Sequence, residues 1–80
     1  MSYTVLKNAG EVRRALYLGD VVYWRHSGHR KRRRLIFAKI LSVTITTDSK
    51  AIYYDAFVTS LYGREYTTKI DHAVDQVCTL

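Results

Sequence analysis

The run Arg25-His26-Ser27-Gly28-His29-Arg30-Lys31-Arg32-Arg33-Arg34 constrains the chain more than any other feature. Its ten residues hold six of the thirteen cations and none of the seven acids. The other seventy carry seven cations against seven acids, so the whole formal charge of +6 belongs to this one segment. Concentrated like charge costs self-repulsion that scattering would avoid, and a counter-anion offsets that cost. The segment therefore reads as a working surface, and whatever folds on either side of it as the mount.

Eighty residues are expected to make one domain, 1–80, because two cores would each fall below the size at which burial competes with chain entropy. Hydrophobic residues form 48% of the chain and charged ones 25%, values of an ordinary globular protein and not of a disordered tail. Ten aromatics supply large buried areas for a small core. Cys78 stands alone and has no internal disulfide partner, which fits a cytosolic home, nucleoid-associated or nuclear if the source is eukaryotic. The first residues lack the apolar region of a signal peptide, and no uncharged run approaches the roughly 18–20 apolar residues of a spanning helix, so no membrane partner is expected. A pI near 9.7 with localised charge points to a polyanion.

Asn8-Ala9-Gly10-Glu11 has the character of a capping box and predicts a helix over about 9–18. Val12, Ala15 and Leu16 recur at helical spacing, and Gly19 stands where a C-terminal cap needs positive φ. After Gly19-Asp20 the period becomes extended with Val21-Val22-Tyr23-Trp24. The basic run then leads into a long strand over residues 35–47. Leu41, Val43 and Ile45 alternate there with Ser42, Thr44 and Thr46, whereas the earlier half is apolar on both sides, so a bend is expected where the buried face changes. Asp48-Ser49-Lys50 forms a turn, and Ile52, Tyr54, Ala56 and Val58 share one parity of the next strand. Tyr62-Gly63-Arg64-Glu65 turns the chain into a strand over Tyr66 to Ile70. Residues 71–77 look like a capped helical turn tucking Val74 and Val77 inward, and Cys78-Thr79-Leu80 closes as a short strand.

This layout resembles the SH3-like small barrels, of which KOW and Tudor modules are examples. Gly19-Asp20-Val21-Val22 opens a strand, a long connection follows, Ala38 to Val43 forms the second strand, a hairpin comes next, and a helical turn precedes the terminal strand. The resemblance covers residues 19–80 and is one of element lengths. It implies a mainly β (α+β) fold: a small antiparallel SH3-like barrel with one N-terminal helix in residues 1–18 and a basic arm at 25–34. It also implies a binding module.

With Ser27-Gly28 as a two-residue hairpin turn, His26 would face His29, Arg25 would face Arg30, Trp24 would face Lys31 and Tyr23 would face Arg32. Opposed like charges destabilise such a ribbon until a polyanion neutralises them. Arg25, Arg30, Arg32, Arg33 and Arg34, with Lys31, His26 and His29, are thus candidate nucleic-acid contacts. The arginine fork binds phosphate bidentately and reaches guanine edges. DNA is favoured over RNA because a two-stranded ribbon fits the DNA major groove, whereas A-form RNA has a deep, narrow one. Trp24, with Tyr23 and Tyr62, is a candidate for stacking on bases; the plainer reading of all three is packing.

Other chemistries find less support. His26, His29, His72 and Cys78 match no zinc spacing, and a cationic flank repels the ion, so neither a metal nor another cofactor is expected. The acids are spread through turns and strand ends, with no serine-histidine-acid order or phosphate loop, so no enzyme is expected. Cys78 reads as an inert thiol. The rival to nucleic-acid binding is a small protein-interaction module, inhibitor or adaptor on an acidic protein surface, anchored by Tyr53, Tyr54, Phe57, Tyr62 and Tyr66.

Overall fold

The computed structural model describes residues 3–26 and 36–79. It is mainly β: one six-stranded antiparallel sheet carries one helix. In chain order the elements are β1 (Thr4–Leu6), α1 (Ala9–Tyr17), β2 (Val22–His26), β3 (Ile36–Ile45), β4 (Tyr53–Ser60), β5 (Glu65–Asp71) and β6 (Gln76–Thr79). Across the sheet the order is β1-β6-β2-β3-β4-β5. No helix among the described residues is long and apolar enough to cross a membrane.

The helix is bounded as its sequence dictates. Asn8 Oδ1 accepts from the Glu11 amide at 3.0 Å, and Asn8 Nδ2 donates to the Glu11 carboxylate at 3.3 Å, which satisfies an otherwise orphaned N-terminal donor. At the other end Gly19 takes φ +84°, and the amides of Gly19 and Asp20 donate to Leu16 and Ala15. That pair of bonds is a Schellman closure, and its left-handed residue favours glycine. Ala9, Val12 and Ala15 face the sheet, with Leu16 packed beside them. Gly10 lets the helix touch the turn before β4: a Cβ there would lie 2.7 Å from the Ser49 carbonyl oxygen, which the Gly10 amide bonds.

Register is set by apolar faces. Val22 pairs with Ile40 and Trp24 with Ala38, all four buried, a large indole opposite a methyl group. Tyr54, Ala56 and Val58 bring the inner face of β4 against Ile40, Val43 and Ile70. The face of β3 changes where expected: the ladder with β4 slips between Ile40 and Ser42 and again between Val43 and Ile45, and a bulge re-aims the side chains that follow. Ile45, expected inside, ends 68% exposed beyond the second slip.

Other expectations are corrected. Trp24 does not face Lys31, nor Tyr23 Arg32: the partners are Ala38 and Lys39, while Arg25 faces Phe37 and His26 faces Ile36. Pairing apolar inner faces outweighs a tight turn that would oppose like charges. Val74 is 78% exposed, because the chain makes only one turn over residues 72–75, closed by the Asp75 amide on the Asp71 carbonyl, before β6 begins. Val77, expected in that turn, is a buried strand residue opposite Trp24. β1 was not foreseen; it pairs with β6 through Thr4, Val5 and Leu6.

The short turn also requires the sheet to coil. β5 and β6 stand four places apart in the order, about 19 Å in a flat sheet, too far for four residues wound into a turn. His72 marks the approach that results: its amide donates to Ile52, and its ring reaches the Leu6 carbonyl of β1 at 3.1 Å. Among the described residues no ladder joins β1 to β5, so the sheet is open.

Candidate nucleic-acid interface

β2 and β3 are hydrogen-bonded neighbours in the middle of the sheet, and His26–Ile36 is the last couple of their ladder among the described residues. The basic run joins these two ends. Of the residues expected to contact a polyanion, His29, Arg30, Lys31, Arg32, Arg33 and Arg34 lie outside the described residues, as do Ser27 and Gly28. Trp24, Arg25 and His26 form the root of the segment, and their surroundings assign them different tasks.

Trp24 is a core residue, 6% exposed, so its ring offers little face to a base. Its Nε1 donates to Asp75 Oδ2 at 3.0 Å, which satisfies the one polar atom of the indole. The half-buried His26 ring stacks on it at a centroid distance of 3.8 Å and an interplanar angle of 11°.

Arg25 points to the opposite face. Its Nη1 donates to Gln76 Oε1 at 3.2 Å, and the guanidinium lies 5.8 Å from the centroid of Phe37. The partners are neutral or π-electron-rich, so the charge keeps its reach toward an anion, and its buried Nε–H has no hydrogen-bond partner among the described residues. Tyr23 and Lys39, paired across β2 and β3, continue this face next to Arg25 and Phe37. Two cations and two aromatics thus share one outer patch at the root of the basic segment. Phe37 and Lys39 escaped notice in the sequence; the signal was their odd-numbered place beside the inward Ala38 and Ile40.

Several carboxylates are occupied elsewhere. Asp75 holds Trp24, Asp71 and Asp48 accept from the amides of Ala73 and Lys50 in their own turns, and Asp55 pairs with Lys69 at 3.1 Å. Cys78 is buried, and desolvation raises its thiol above the ordinary value despite the opposing pull of the Arg25 charge, as befits an unreactive side chain. No group of three or more metal-binding side chains occurs among the described residues. His72 is engaged in packing: since a carbonyl only accepts, Nδ1–H donates to Leu6, and Nε2 accepts from the Tyr54 hydroxyl at 2.7 Å.

No protein-family model, curated protein or solved structure matches the chain. The reading of the site therefore rests on its chemistry.

His72 has a measurable consequence. Burial lowers its pKa below the ordinary 6.5, outweighing the Leu6 carbonyl and the carboxylates of Glu11, Asp71 and Asp75, which favour the charged ring. A depressed folded-state pKa means that the unfolded chain binds the proton first, so stability falls as pH drops below about 6.5 toward the folded value. Melting at pH 7.5 and pH 5 is expected to differ more for the natural chain than for His72→Gln. Equal differences would show that the ring does not carry the effect.

Proposed function

We propose that this protein binds nucleic acid, DNA in preference to RNA, without catalysing a reaction. On this reading, residues 25–34 track the phosphate backbone and the outer patch of Tyr23, Arg25, Phe37 and Lys39 abuts it. On this reading the mount is related to the SH3-like small barrels, which its coiling and the helical turn before the last strand support, although its sheet is open between β1 and β5 among the described residues. The observation that carries the reading is that the entire net charge of the chain falls in one segment held at both ends by neighbouring strands. A cationic segment of this kind gains most from a partner whose charges are as closely spaced as its own. A cytoplasmic, nucleoid or nuclear setting suits such a role.

Titration of duplex DNA, single-stranded DNA and RNA across a salt series tests it. Neutralising about four to six phosphates predicts a slope of log K against log salt near −3.5 to −5.5 on duplex DNA. A flat response removes the mechanism. Tyr62, almost fully exposed, and Tyr53, 56% exposed, favour a second reading, docking on an acidic protein surface with these rings as anchors.

A further inference from the structure

The sheet ends at β5, a seven-residue strand paired to β4 in one unbroken register, with no proline or bulge to blunt its free side. Such an edge is a template for another strand unless the chain guards it. The hydrogen-bond alternation determines which groups face outward. At one end of the β4–β5 pair the Ser60 amide donates to Arg64, and at the other the His72 amide donates to Ile52. In an antiparallel ladder bonded couples alternate with non-bonded ones, so the even-numbered residues between these ends bond to β4. Glu65, Thr67 and Lys69 therefore turn their amide and carbonyl groups to the open edge. Their side chains are exposed as well, on the sheet face opposite Ile70.

We propose that β5 pairs antiparallel with β5 of a second copy of this chain, about a two-fold axis through Thr67. In that register Glu65 of each copy stands opposite Lys69 of the other, and the two Thr67 residues stand opposite each other. Both charge pairs are attractive, and facing threonines are a favourable cross-strand couple. Each Lys69, already paired with Asp55 on β4, then sits between two carboxylates. Neighbouring two-fold registers lose this match: an axis at Thr68 sets Glu65 against Asp71, an axis at Lys69 opposes two lysines, and an axis at Tyr66 leaves both charges unmatched. The symmetry closes, as an isologous interface must. This inference stands independently of nucleic-acid binding, although the dimer would present two basic segments.

A single strand edge is a small interface, so a dissociation constant on the order of 10⁻⁴ M is expected. Sedimentation equilibrium from about 10 μM to 1 mM, without nucleic acid and at about 0.15 M salt to screen the two basic segments, measures it. E65K and K69E each set like charges against each other at both positions, and each is expected to weaken the dimer at least tenfold. An equimolar mixture of the two restores opposite charges at both positions and is expected to recover a heterodimer within about threefold of the natural affinity, as does the doubly swapped chain. A natural chain that stays monomeric at 1 mM, single variants that associate normally, or folded variants whose mixture does not recover would each overturn the proposal. Circular dichroism checks the fold. Should K69E fail to fold beside Asp55, E65K decides alone, because it faces Thr59 and breaks no ion pair among the described residues.

Discussion

Trp24→Ala is expected to lower the unfolding free energy by about 3–5 kcal/mol, the range for emptying a buried aromatic site. The indole is almost fully buried, lies opposite Ala38 and Val77 on its two neighbouring strands, and is stacked by His26. Ala38, opposite it on β3, offers only a methyl group toward the gap. Asp75 would also lose its donor, although its position beside the turn lets water replace the bond. Against a total of roughly 5–15 kcal/mol for a small domain, this leaves the variant close to unfolding. Urea denaturation followed by circular dichroism should show a much lower midpoint with an unchanged slope, and Trp24→Phe should fall between the two. A loss below about 1 kcal/mol would mean that the indole is not the packing centre assigned to it.

What was legible in the sequence was local. The cap at Asn8, the stop at Gly19 and the alternation of Tyr54, Ala56 and Val58 depend on neighbours within a few residues, and the elements they mark are present. What was hidden depended on distant partners. β1 is three residues long and exists because β6, at the far end of the chain, offers it an edge. The supposed Ser27-Gly28 hairpin was a sound reading of local turn chemistry, yet the residues before it pair with 36–40, because there Val22 and Trp24 meet Ile40 and Ala38 on the inner face. The same cause moved Trp24 from the expected interface into the core and left Phe37 and Lys39 on the outer patch. Val74 had an apolar side chain and helical neighbours, but a single turn offers no second layer to bury it.

Replacing Arg32, Arg33 and Arg34 together by alanine is expected to separate the mount from the surface it carries. These residues precede β3, so melting should not fall, and relief of self-repulsion is expected to raise it slightly. Duplex affinity, in contrast, should drop by about a hundredfold at 0.15 M salt, and the slope of log K against log salt should become shallower by about 2.7, the share of three phosphates. The difference should vanish as salt approaches 1 M, where counterion release no longer drives association. Lysines at the three positions should preserve the slope, and any affinity they fail to restore measures what the planar fork adds beyond charge. Unchanged duplex binding in the alanine variant would remove the basic segment from the interface. If the natural chain binds an acidic protein and not DNA, the exposed tyrosines become the residues to replace next, because a folded partner surface rewards shape and aromatic anchors where a phosphate backbone rewards charge.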